Sequence, residues 1–333
     1  MPLSTLKRKL LGTPLRTEEA HHERLSKFAA LAVFSSDALS SVAYATEEIL
    51  LALVLAGSAA LRWSLPLSVA IALLLLIVTT SYRQTIHAYP SGGGAYIVAK
   101  ENLGVYPGLI AAAALLIDYV LTVSVSVAAG VAAITSAVPV LYQYRVNLGI
   151  LCIGLITLAN LRGIRESGRI FAIPTYLFIA SFAIMIGVGL TKSLFAGADV
   201  TAPESLAAPT QSLGLLLLLR AFASGCTALT GVEAISNGIP AFRYPESKNA
   251  AATLTWMAAL VSQLARNIFG SGVLYYVIQA TTAMILILAA NTSFADFPRL
   301  SSILARDRFM PHQLASRGDK LVFSNGIIIL GVV

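Results

Sequence analysis

Asp37, Asp118 and Glu233 each interrupt a long apolar stretch of the sequence. A charged side chain at the centre of a membrane-spanning helix costs about 2.5 to 3.5 kcal/mol on insertion scales, so three together would cost roughly 8 to 10 kcal/mol unless something offset it. A bound cation with one or two protons would do so. The neighbouring donors are all oxygens: Tyr44 follows Asp37, Tyr119, Thr122 and Ser126 follow Asp118, and Thr230 precedes Glu233. The spacing of four puts Asp118, Thr122 and Ser126 on roughly one helix face. Oxygen donors with no His or Met nearby suit a hard cation. A divalent ion fits such a set, but abundant neutral hydroxyls beside free backbone carbonyls favour an alkali ion whose hydration shell they replace. Three carboxylates and one monovalent ion leave a charge that a dry site does not tolerate, so protonation of one or two of them should accompany binding. The competing structural readings are a buried ion pair or an interfacial placement for the carboxylates, and bonding back to the helix's own carbonyls for the hydroxyls.

The elements that must position these groups are membrane helices. The 333 residues are 57% hydrophobic and 12% charged, far from soluble composition. Apolar runs of spanning length lie near 31–56, 65–81, 105–136, 147–161, 170–190, 213–236 and 268–290, with another beginning at Leu321. Residues 1–30 are charged and read as a cytosolic arm without signal-peptide character. Through the sixth run, 13 Lys and Arg fall on the arm's side and only Arg62, Arg145 and Lys192 on the other, which makes the N-terminus cytosolic. The net charge of +7 is therefore topological, and no nucleic-acid partner is implied. Cys152 and Cys226 lie within runs, so neither a disulfide nor a thiolate metal site is indicated. Glu47 and Glu48 belong near the outer interface, SGGGAY at 91–96 reads as a tight turn, not a phosphate loop, and RESGR at 165–169 as an inside anchor.

Runs one and six are interrupted. The first holds Ser35, Ser36, Asp37, Ser40 and Ser41 at its centre, the sixth Ser224, Gly225, Thr227, Thr230, Gly231 and Gly238. Interrupted helices at matching positions of two halves point to the midplane site of an inverted-repeat transporter. The count then meets a parity problem. Arg243 and Lys248 place the chain inside after run six, and Arg299, Arg306, Arg308, Arg317 and Lys320 place it inside again after run seven. The segment between, Asn249 to Val261, has too few apolar residues to cross, so one span is missing or a short, tilted or re-entrant segment stands there.

At FSSDALSSVAYATEEIL, YRQTIHAYPSGGGAYIVAKENLG, DYVLTVSVSVAAG, FASGCTALTGVEAISNGIPAFRYPESKNAA and LAANTSFADFPRLSSILARDRFMP the chain resembles the KimA-type potassium importers of the amino acid/polyamine/organocation superfamily. The resemblance implies an all-α integral membrane protein with the inverted-repeat (5+5, LeuT-like) fold, interrupted helices 1 and 6, repeat one over 31–192 and an incomplete repeat two over 213–333. It also implies proton-driven potassium uptake across the plasma membrane and a homodimer. Asp37, Tyr44, Asp118, Tyr119, Thr122, Ser126, Thr230 and Glu233 would line the potassium site, with Asp37, Asp118 and Glu233 coupling protons. No cofactor is expected beyond the transported potassium ion and protons. The family's seventh helix and its cyclic-dinucleotide-binding domain have no matching segment in this sequence.

The alternatives are a permease for amino acids or another organic solute, a non-transporting remnant, and a membrane hydrolase using two aspartates. An amino-acid carboxylate would want bare helix N-terminal amides, usually exposed by glycines in the first interrupted helix, and run one has Asp37 there instead. Aspartyl hydrolysis needs two close carboxylates sharing a proton.

Overall fold

The computed structural model describes residues 24–195, 210–264 and 273–333, with Arg8, residues 11–16 and Glu18 of the arm. All named elements among them are helical: α1 (Lys27–Phe34), α2 (Ser36–Val54), α3 (Ser64–Ala88), α4 (Gly94–Leu103), α5 (Val105–Ala137), α6 (Arg145–Leu161), α7 (Ile164–Phe195), α8 (Leu215–Gly225), α9 (Glu233–Asn237), α10 (Glu246–Leu264), α11 (Val273–Arg306) and α12 (Ser324–Val332), with short 3-10 turns between them. Among the described residues, six stretches are long and apolar enough to cross a membrane: 58–88, 105–136, 139–161, 166–184, 215–237 and 280–306.

Run one is broken as its polar centre suggests: α1 ends at Ser35, whose hydroxyl turns back onto the Leu31 carbonyl, and α2 restarts at Ser36. Run six breaks more widely. After α8 the backbone passes through a 3-10 turn over Cys226–Leu229, an extended Thr230 and Gly231 at φ 80°, before the single turn of α9. Left-handed backbone of this kind is open to Gly at no steric cost.

The surface is apolar, as a bilayer solvent requires, and the polar side chains within the spans are gathered inside. Leu65, Val69, Leu73, Leu76 and Ile77 of α3 and Val146, Ile150, Leu151 and Leu155 of α6 face outward. Ser36, Ser40, Ser41, Asn291, Thr292, Ser293 and Ser301 are buried. Helices are tied by those polar groups: Ser36 donates to the Leu288 carbonyl at 2.9 Å, Asn160 donates to Asn291 at 2.8 Å, and the Ser181 and Thr281 hydroxyls meet at 3.0 Å. Two apolar clusters flank them. Phe34, Ile49, Leu53, Ile71, Leu75, Ile235, Phe242 and Leu254 form one. Tyr96, Tyr119, Val123, Val127, Ile156, Phe294, Phe297 and Ile327 form the other.

The seventh run departs from its sequence boundaries. It reads as 268–290, whereas α11 spans Val273–Arg306, 34 residues or about 51 Å, and residues 268–272 lie outside the described ones. Arg299 and Arg306, assigned above to a loop, are helical. The reason is burial: the polar run Asn291, Thr292, Ser293 and Asp296 lies inside the bundle, so its polarity does not mark a helix end. The segment of doubtful span count is also longer than its apolar core implies, because α10 runs from Glu246 to Leu264, about 28 Å. It is not among the stretches apolar enough to span.

Candidate functional site

Asp37 stands in the first turn of α2, its residue 8% exposed. Gly231, at the break of run six, lies directly against it. A Cβ on Gly231 would come within 2.9 Å of the Ala38 amide nitrogen and 3.0 Å of Asp37 Oδ2. Two residues on, Glu233 opens α9, half-buried, with its carboxylate beside the backbone N–H groups of Gly231 and of Glu233 itself. The Ser41 and Thr230 hydroxyls meet at 2.6 Å, and Thr230 also donates to the Thr227 carbonyl at 2.8 Å. The two breaks thus face each other, held by a hydroxyl pair and a glycine contact.

From α5, Tyr119 is buried and its hydroxyl accepts a 2.7 Å hydrogen bond from Asn237 Nδ2 at the end of α9. That bond ties one apolar cluster to the segment that anchors the other. Asp37 is within electrostatic range of Glu233 and Asp118, and Glu233 of Asp118, so the three carboxylates form one group. The sequence expectation of a buried Asp118 needs correcting: it is exposed. Val123, Val127 and Val131 set the buried face of α5, and Asp118 lies off that face. Because four residues overshoot one 3.6-residue turn, Thr122 and Ser126 rotate progressively inward, and both are half-buried. No hydrogen bond joins either of them to α2 or to 226–237 among the described residues. Thr230 is exposed as well. The Tyr44 side chain lies outside the described residues.

A fourth carboxylate escaped the sequence reading. Asp296 of α11 is fully buried and within electrostatic range of Glu233 and Asp37. Its Oδ1 meets Arg299 Nη1 at 3.4 Å, while Oδ2 has no hydrogen-bond partner among the described residues. The buried ion pair weighed as the alternative for the other three carboxylates is real, but it belongs to this one. Its signal was available as an Asp and an Arg three residues apart in an otherwise uncharged stretch, which the loop assignment concealed.

Beside the site, the chain is clasped at the end carrying most of its basic residues. Leu25 N–H donates to the Ala241 carbonyl at 2.8 Å, Arg243 N–H donates to the Leu25 carbonyl at 3.0 Å, and Arg24 pairs with Glu246. The triple glycine forms the expected turn, and α4 begins inside it, at Gly94. Gly94 has no room for a Cβ, which would fall 1.9 Å from Asn237 Oδ1. The turn therefore seats the residue that holds Tyr119.

Comparison with known proteins agrees with this architecture. The chain is 50% identical, over an alignment of 353 residues, to the potassium transporter KimA of Bacillus subtilis (strain 168), covering 98% of this chain and 58% of that protein. It therefore spans little more than half the relative's length. Because the chain has 333 residues and the alignment 353, at least 20 residues of the relative inside the matched region have no counterpart here. The profile of the amino acid permease family matches residues 25–265. With most of its length under that profile, and with its first and sixth spans broken against each other as the LeuT-like transporter fold requires, the chain belongs to the amino acid permease family.

Proposed function

We propose that this chain imports potassium across the plasma membrane, coupled to protons, through the site between the two helix breaks. The observation that carries the reading is who occupies the half-helix N-termini. In a permease for amino acids those amides would be free to receive a substrate carboxylate. Here the first turn of α2 holds Asp37, and the carboxylate of Glu233 stands beside the amides at the start of α9. A site that supplies its own carboxylates in both places favours a cation. The similarity to a potassium transporter supports potassium as that cation. Clustered carboxylates repel one another and a single monovalent ion does not neutralise them, so a proton bound together with the cation and released with it is the natural coupling.

The basic end is read as cytosolic, which puts the Arg24–Glu246 clasp at the inner gate. A homodimer and an incomplete second repeat belong to the same proposal. The residues of the relative that lack a counterpart here are about enough for one helix, which supports a span fewer than in that protein.

The family description favours one second reading, a permease for an amino acid or another organic solute. Proteoliposomes separate the two. Under an inward proton gradient, uptake of labelled potassium that is abolished by Asp37→Asn and Glu233→Gln is the expected result. Uptake of a labelled amino acid with no potassium flux would move the second reading to the front, and no flux of either kind would identify a non-transporting protein.

A further inference from the structure

At the basic end, between the C-terminal half of α11, the start of α12 and the clasp, lies a cavity of about 340 Å³. Among the described residues, five cationic side chains line it, Arg24, Arg299, Arg306, Arg317 and Lys320, and no carboxylate does. Two of the five are partly committed. Arg24 pairs with Glu246, and Arg299 reaches Asp296 through Nη1 at 3.4 Å. The second guanidinium nitrogen of Arg299, Nη2, is buried and meets no acceptor among the described residues. Lys320 is 8% exposed, and no described residue supplies an acceptor for its ammonium. Arg306 and Arg317 stand at the open side without a carboxylate partner among the described residues, and Arg317 is close enough to Arg299 to repel it.

A buried ammonium and a buried guanidinium nitrogen without acceptors, with two further guanidinium groups close by, are costly unless an anion joins them. Planar guanidinium forks beside an ammonium match a phosphate group, whose oxygens accept from several donors at once. The volume also exceeds what a halide would fill. We infer that this cavity binds a phosphate-bearing anion, either a soluble phosphate or the headgroup of an anionic lipid. Binding here does not depend on what the site between the helix breaks carries. It does bear on that site, because Arg299 faces the cavity while pairing with Asp296, which lies within range of Asp37 and Glu233. An anion drawing on Arg299 would change the counter-charge seen by the carboxylate group.

The test is thermal unfolding of the purified full chain in neutral detergent, titrated with sodium pyrophosphate, with phosphatidylglycerol, or with sodium chloride at matched ionic strength. The expected result is a saturable rise in midpoint with at least one of the two phosphates and none with chloride. The apparent affinity should weaken by about tenfold or more in Arg317→Gln and in Arg306→Gln, both exposed positions that tolerate change, and stay unchanged in Arg62→Gln. A response to pyrophosphate assigns a soluble phosphate, and a response to the lipid alone assigns a headgroup. An equal rise with chloride, no rise with either phosphate, or a rise retained by both variants overturns the site.

Discussion

At the scale of single residues, a glycine of the candidate site packs directly against a carboxylate. Gly231 is constrained twice, by its φ of 80° and by the Ala38 amide and Asp37 Oδ2 that a Cβ would meet. Gly231→Ala should therefore cost about 1 to 3 kcal/mol and push Asp37 away from Thr230 and Ser41. Potassium affinity in proteoliposomes should fall by more than stability alone explains, and wild-type affinity in a folded variant would show that the contact is incidental. Glu233→Gln keeps the shape of the side chain but removes its charge. Its expected effect is loss of proton-driven uptake with the folded yield unchanged. Uptake at the wild-type rate would remove Glu233 from coupling.

At the scale of elements, α11 is the post around which the others stand. Gly130 of α5 lets it come close, since a Cβ there would lie 2.5 Å from Ile287 Cγ1 and 3.2 Å from the Ala283 carbonyl oxygen. Small residues at such crossings let helices pack where no hydrophobic effect drives them together. Gly130→Leu should destabilise the α5–α11 pair by about 1 to 3 kcal/mol, seen as a lowered unfolding midpoint in detergent.

The end of α11 is held by a polar clamp. Asp307 accepts from Lys100 at 2.6 Å and from Tyr96 at 2.5 Å. Burial pushes the Asp307 carboxyl up, but the hydrogen bonds from Lys100 and Tyr96 outweigh it and hold it below the usual carboxylate value. The bond from Asp307 raises the Lys100 ammonium above its ordinary value. A depressed carboxyl contributes stability above its unfolded value, near about 4, and loses it as pH falls through the folded one. The raised ammonium contributes below its unfolded value and loses that contribution only in strong alkali. Asp307→Asn should therefore cost about 1 to 2 kcal/mol at neutral pH and less at about pH 3, where part of the contribution is already lost. An equal deficit at both values would show that the charge contributes nothing.

At the scale of the whole molecule, orientation is the open quantity. Basic residues gather at one end, where the arm meets the rest: Leu15 N–H donates to the Asp319 carbonyl at 2.8 Å. If that end is cytosolic, a cysteine at Ser316, exposed there, should react with a membrane-impermeant maleimide only after the cells are opened. A cysteine at Gln143, exposed at the other end, should react in intact cells. Both variants need Cys152 and Cys226 replaced by alanine. The reverse pattern would invert the topology and reassign the Arg24–Glu246 clasp to the outer gate.

Patterning along the chain was enough to show a helical membrane protein, breaks in the first and sixth spans, and the carboxylates Asp37 and Glu233 facing the gap between them. These follow from composition and local propensity: a serine cluster or a Thr-Gly pair inside an apolar run weakens a helix wherever it lies. Which polar residues are buried is a property of packing. Asp118 was expected inside but is exposed, because the face of α5 that turns inward is chosen by its fit to α11. Arg299 was read as part of a loop and Asp296 was passed over, yet both lie in the helix interior, because α11 is enclosed by its neighbours and polarity no longer tells lipid from water. The basic cavity is likewise a tertiary feature, assembled from residues as far apart in the chain as Arg24 and Lys320.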